Sequence, residues 1–124
     1  MAEQRVVPAL RILRYETSGP FYTKGLGFEV EWEHRFEPDF PVFVSIARDG
    51  MRIFLTEHTG DCQVGGLVHF YIPDVDALYH ELRDRDIPVT EPPNDFLPSL
   101  RTMTVTDPDG NQLRFLTRHP PGED

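Results

Sequence analysis

Three carboxylates alternate in FEVEWEHRF at 28–36, Glu29, Glu31 and Glu33, and two more, Asp84 and Asp86, stand close together further along. Neighbouring carboxylates can divide general acid from general base work when their surroundings push their pKa values apart. Period-two spacing places the three glutamates on one face of a strand, with Phe28, Val30, Trp32 and His34 on the other, and the ordinary reading of such an acidic face is solvation. Cys62 is the single cysteine. It has no partner for an internal disulfide, and its Gly/Thr/Asp loop brings no basic neighbour to favour a reactive thiolate, so exposure without nucleophilic duty is expected. Gly25-Leu26-Gly27 lacks the third glycine and the strand-before-helix setting of a phosphate-binding loop. Ser, His and Asp residues are too scattered to nominate a triad. Residues suited to binding stand out more clearly: arginines that can grip carboxylate or phosphate through paired hydrogen bonds, and aromatics that can stack on a flat molecule.

Those side chains belong to a chain of 124 residues, a length that fits one domain with a modest core. Its charged fraction of 27% and hydrophobic fraction of 39% are those of a folded globular protein, too apolar for a disordered one. The net charge of −9 repels phosphate backbones and argues against nucleic acid, while it would draw in a cationic small molecule; solubility alone is the commoner reason for such a balance. No apolar run reaches the ~18–20 residues of a membrane span, and the polar start at residues 1–5 does not read as a signal peptide, so a cytoplasmic location without membrane partners is expected.

The elements that must position the side chains fall into two similar halves. Residues 6–13 (VVPALRIL) read as a strand with Pro8 near its start, where a missing donor is tolerated. Ser18-Gly19-Pro20 opens a short helix with Phe21, Tyr22 and Leu26 as its apolar stripe, closed by Gly25 and Gly27. Strands are predicted over 28–36, 40–47 and 51–56, the last two joined by an Asp49-Gly50 hairpin turn. The chain then begins again: a strand at 67–72, a helix capped by Asp74 with Val75, Leu78 and Leu82 on its buried face, a short strand at 87–89, a Pro-rich loop at 91–99, and strands at 100–106 and 111–116 around Asp107-Pro108-Asp109-Gly110. Two βαβββ modules of an α+β fold result, 6–57 and 66–117, in one domain over 1–118 with 119–124 as a mobile tail. Such halves pair into curved mixed sheets whose concave faces can enclose a ligand.

Three segments carry a family resemblance: FYTKGLGFEV at 21–30, IPDVDALYHEL at 72–82 and DPDGNQLRF at 107–115. In order and spacing they resemble the vicinal oxygen chelate superfamily of glyoxalases, bleomycin resistance proteins and extradiol dioxygenases. The VPAL of 7–10 and GLVHFYIPDVDALYHEL of 66–82 are most similar to the bleomycin resistance proteins, which bind a drug without chemistry. The resemblance implies a glyoxalase/bleomycin resistance fold completed across a homodimer, with Pro8 where that group's proline supports an exchanged N-terminal arm; an ordinary edge-strand proline is the alternative.

Enzymes of the superfamily hold a divalent metal with His, Gln or Glu from four strand positions, since borderline cations need converging nitrogen or oxygen donors. Carried over, the positions fall on Val7, Phe54, Leu67 and Arg114, none of them a usual ligand, and a permanent cation at Arg114 would oppose a dication. Neither a metal nor any other cofactor is therefore expected, and the Lewis-acid chemistries of the superfamily lose their centre. His69 alone is more simply a pocket-wall histidine. Alternation from those positions puts Ala9, Arg11, Arg52, Thr56, His69, Tyr71, Gln112 and Arg114 on concave faces, with Phe54, Tyr71 and Phe43 as stacking aromatics. Where the drug binders carry an aromatic in Pro-Trp-Gly, this chain has Pro98-Ser99-Leu100, and Phe96 is the replacement within the same loop.

The expected function is sequestration of a bleomycin-type glycopeptide, an antibiotic-resistance role. The three arginines Arg11, Arg52 and Arg114 favour a second reading, an anionic aromatic metabolite; a metal-dependent glyoxalase or dioxygenase is a third and predicts bound metal.

Overall fold

Residues 4–118 are described by a computed structural model and form eight strands and two helices, so the tail expected over 119–124 lies outside the described residues. The chain divides into two compact units: the segment up to Gly66 together with Pro108–Asn111, and Leu67–Asp107 together with the segment from Gln112 onward.

Unit one contains β1 (Ala9–Arg11), α1 (Tyr15–Pro20), β2 (Glu29–His34), β3 (Phe43–Arg48) and β4 (Met51–Thr56), the strands ordered β1-β4-β3-β2. β1 adds to β4 in parallel and the other pairs are antiparallel. Cross-strand partners sort the side chains by face: Val44 lies opposite Leu55 and Ile46 opposite Ile53, and all four are wholly buried, while Phe43, Ser45 and Phe54 share the other face. Asp49 and Gly50 both adopt positive φ, the requirement of a two-residue turn whose twist matches the flanking strands.

The first helix starts earlier than the sequence pattern predicts. α1 begins at Tyr15, and Pro20 is its last residue instead of its first; the chain then widens into a π-helical turn over Phe21–Gly25. A proline within a helix removes an i→i−4 hydrogen bond, and here the turn that follows it is wider and closed by an i→i−5 bond. Leu26 N–H accordingly reaches Phe21 O at 2.9 Å.

β2 departs from the expected alternation. A bulge between Val30 and Trp32 sets both Glu31 and Trp32 against Ser45, so the phase flips mid-strand. Trp32 and His34 join the face of Ser45 and Phe43, whereas Glu33 crosses to the helix side and accepts a hydrogen bond from Tyr15 Oη at 3.2 Å. That carboxylate, together with burial, pushes the Tyr15 hydroxyl up to about 12, burial being the larger cause. The three glutamates therefore do not form one solvated face.

Unit two contains β5 (Leu67–Tyr71), α2 (Val75–Asp84), β6 (Glu91–Leu97), β7 (Leu100–Thr106) and β8 (Gln112–Arg118), the strands ordered β5-β8-β7-β6. Asp74 caps α2, its carboxylate accepting from Ala77 N–H at 3.1 Å, and Val75, Leu78 and Leu82 are the buried stripe. Arg101 on β7 fixes the helix to the sheet through Asp76, with contacts of 2.8 and 3.0 Å.

The second half also corrects the sequence reading. Residues 87–89 form no strand, and the Pro-rich loop expected over 91–99 is largely β6, at the sheet edge. Pro92 and Pro93 cannot donate to a ladder, which suits an edge strand, and the pairing shifts register between Glu91 and Asn94. β1 is likewise shorter than 6–13: Pro8 lies outside it, yet its carbonyl still accepts from Phe54 N–H at 2.9 Å.

Asn111, the last residue of the DPDGN turn, is wholly buried within unit one. Its side-chain oxygen accepts from Gly65 and Gly66 N–H at 3.0 and 2.8 Å, and its amide donates to Arg11 O at 2.7 Å. An asparagine supplies donor and acceptor together, which explains its place after the turn.

Candidate functional site

In unit two, α2 packs against the sheet on one side, one sheet face carries the buried Phe70, Met103, Val105 and Leu113, and the opposite face is hollow, with a cavity of about 390 Å³. Strand register builds its floor as two cross-strand rows. The first runs His69, Arg114, Thr104, Glu91 and the second Tyr71, Leu116, Thr102, Asn94, each residue paired with the next on the neighbouring strand. Leu100 and Phe96 complete the wall. Tyr71 and Phe96 stand at the rim, 58% and 69% exposed, with the Arg118 guanidinium 4.9 Å from the Tyr71 ring.

The first row is polar. Arg114 Nε donates to Thr104 Oγ1 at 3.2 Å, and among the described residues neither Arg114 nor Glu91 has an ion-pair partner. The second row is amphipathic, an aromatic and a leucine followed by a hydroxyl and an amide. Aromatic and aliphatic walls with a few fixed polar groups are the usual make-up of a small-ligand pocket.

Unit one carries a shallower hollow of about 360 Å³ on its own strand face. Trp32 stacks on Phe43 with centroids 5.9 Å apart and planes 14° from parallel, and Phe54 lies 5.0 Å from Phe43 and 5.7 Å from Trp32. His34, Phe36, His58 and Asp61 form the rest of that lining.

The sequence-predicted residues are thus split. His69, Tyr71, Phe96 and Arg114 meet in the unit-two cavity. Phe43 and Phe54 lie in the aromatic cluster of unit one. Arg11 lies on β1, its Nε donating to Ile12 O at 3.1 Å, and Gln112 shares the cavity face of β8 but does not line the cavity. Two candidates are committed elsewhere. Arg52 makes two contacts of 2.6 and 2.9 Å with Glu31, whose carboxyl is held down to about 2 by the Arg52 and Ser45 hydrogen bonds, so that guanidinium is already neutralised. Thr56 is wholly buried, donating to Asp61 at 2.6 Å and accepting from His58 N–H at 3.0 Å.

Glu91, Asn94, Leu100, Thr102 and Leu116 escaped the sequence reading, as did Trp32 and His34. Leu100, Thr102 and Leu116 had a usable signal, period-two continuation from Arg114 and across the β7/β8 hairpin. Glu91 and Asn94 did not, because the prolines between them disguise a strand.

The family model described as "Glyoxalase superfamily protein" matches residues 1–122. The chain belongs to the glyoxalase superfamily. Solved structures agree in fold: a glyoxalase/bleomycin resistance protein/dioxygenase superfamily member from Sphaerobacter thermophilus DSM 20745 is 25% identical with a TM-score of 0.70, covering 93% of this chain and 98% of that one. TnmS3, an antibiotic binding protein from Streptomyces sp. CB03234, is 23% identical with a TM-score of 0.75, covering 95% and 98%. TioX from Micromonospora sp. ML1 is 14% identical with a TM-score of 0.73, covering 94% and 98%. No curated protein compared with the chain matches it.

The superfamily's divalent metal does not fit the residues present. Phe54 is packed among aromatics, Leu67 and Arg114 lie on one face of unit two, and a guanidinium there is a cation that cannot donate electrons to a metal. Among the described residues no three His, Cys, Asp or Glu side chains converge as a ligand group. Cys62 is part-buried, its Sγ 3.8 Å from Ala9 O. No helix is long and apolar enough to cross a membrane.

Proposed function

We propose that this glyoxalase-superfamily chain is a metal-independent binding protein that sequesters a planar aromatic small molecule of the antibiotic kind in the hollow of its second unit. One observation carries the reading. The strand face from which metal enzymes of the superfamily present their donors here offers Leu67 and Arg114 beside a cavity of about 390 Å³, within the range of small-ligand pockets. Aromatic and aliphatic walls supply stacking and desolvation, and the polar row supplies orientation.

The antibiotic class is supported by the resemblance to bleomycin resistance proteins and by the antibiotic-binding TnmS3 among the structural neighbours. A bleomycin-type glycopeptide is larger than this cavity, so only a planar portion of it would enter. The surrounding charge of −9 would favour approach of such a cation, whereas Arg114 favours an anion. A homodimer, with Pro8 at the base of its arm, belongs to the same reading.

The test is thermal melting of metal-stripped protein, in chelator, against bleomycins and against fused-ring aromatic acids. A ligand at 100 times its Kd stabilises the folded state by ~2.7 kcal/mol, which for a domain of this size raises Tm by roughly 10 °C. A rise with either class supports the reading. No rise with any compound, or a rise only when a divalent metal is added back, overturns it.

A further inference from the structure

We propose that the ligand of the unit-two hollow carries an anionic group, carboxylate or phenolate, at one end of its ring system and a hydrogen-bond donor, hydroxyl or amine, at the other. Arg114 holds the first and Glu91 the second. The inference rests on the binding reading above and assigns its ligand class.

The floor of the cavity is charged at two points. Arg114 and Glu91 each pair across the strands with Thr104, so they share one row with a single residue between them. Two strand spacings separate their backbones by roughly 10 Å, and among the described residues they do not form an ion pair with each other or with another side chain. A part-buried guanidinium without an ion-pair partner lacks a counter-charge until an anion arrives. Thr104 engages Nε and so steadies the planar group. The terminal nitrogens make no hydrogen bond among the described residues, and paired donors of this kind match a carboxylate. His69, the cross-strand partner of Arg114 on the other side, offers a ring nitrogen to the same group.

Glu91 sets the opposite requirement. Carboxylate oxygens accept hydrogen bonds, so the ligand edge that faces them must donate. A purely anionic ligand would meet repulsion there, and a purely cationic one would meet it at Arg114. Beside that row, Leu116 and Leu100 give an apolar seat, with Tyr71 and Phe96 as aromatic cover. A flat fused-ring system with an acid on one edge and a hydroxyl on another meets both requirements.

Calorimetry on the full chain with 6-hydroxy-2-naphthoate, its methyl ester and 2-naphthoate separates the contributions. A charge-assisted contact to a part-buried guanidinium is worth about a 10- to 100-fold affinity difference, so the hydroxy acid should bind at least tenfold more tightly than the ester. Arg114→Met should erase that preference by weakening the acids alone, and Arg114→Lys should restore part of it. Glu91→Gln should weaken the hydroxy acid relative to 2-naphthoate. Acid and ester binding alike to the wild type, or Arg114→Met weakening all three equally, would overturn this inference while leaving aromatic binding intact. No binding by any of the three would overturn the aromatic-binding reading and this inference with it.

Discussion

Replacing Asn111 with alanine tests how the turn between the last two strands is held. The residue is wholly buried and joins three backbone groups: Gly65 N–H at 3.0 Å, Gly66 N–H at 2.8 Å and Arg11 O at 2.7 Å. Each buried polar group left unpaired costs about 1–3 kcal/mol. Water can reach part of a loop, so the three together should cost roughly 3–5 kcal/mol, a large share of the 5–15 kcal/mol typical of a domain. Gly66→Ala is the control for packing. Its new Cβ would sit 3.0 Å from Leu10 Cδ2, the far end of a flexible side chain that can yield, and should cost roughly 1 kcal/mol. Urea denaturation of both variants beside the parent gives the two numbers. A loss below about 1 kcal/mol for Asn111→Ala, or a Gly66→Ala loss equal to it, would refute the assignment of the turn's stability to these hydrogen bonds.

Other outcomes follow from the same contacts. Glu31 has a folded pKa of about 2 against an ordinary 4.5, so its contribution to stability is present above pH 4.5 and is lost as pH falls toward 2. The stability difference between the parent and Glu31→Gln should therefore be level at neutral pH, roughly 1 kcal/mol, and shrink below pH 4.5 in acid melts; a difference that grows there would contradict the pairing. Arg52→Ala should leave ligand affinity within about twofold, because Glu31 already occupies that guanidinium, and a tenfold loss in calorimetry would return Arg52 to the list of ligand contacts. Sedimentation should give twice the 14.3 kDa chain mass if the chain pairs as proposed, and a single-chain mass at all concentrations would remove the dimer.

The halves were readable because their signals are local and agree with one another. Asp49-Gly50 and Asp107-Pro108-Asp109-Gly110 mark turns by backbone requirement, and Asp74 followed by Val75, Leu78 and Leu82 marks α2 by cap and stripe. Two four-stranded mixed sheets with helices follow, as expected. What stayed hidden depends on partners distant in sequence. The β2 bulge is set by pairing with β3, and no local pattern announces that Glu31 and Trp32 share one partner. Pro92-Pro93 reads as loop until an edge position makes the missing donors harmless. Face assignment from alternation placed Arg114, His69 and Tyr71 on the cavity side, since β5 and β8 are regular, but could not foresee that Glu31 would claim Arg52.

The most direct test of the central claim is an amide chemical-shift titration of metal-stripped protein, in chelator, with a fused-ring aromatic acid. Saturable shifts should centre on His69, Tyr71, Glu91, Asn94, Phe96, Thr102, Arg114 and Leu116, which line the hollow. Shifts that appear only after a divalent metal is added, or that centre away from those strands, would contradict metal-independent binding in the second unit.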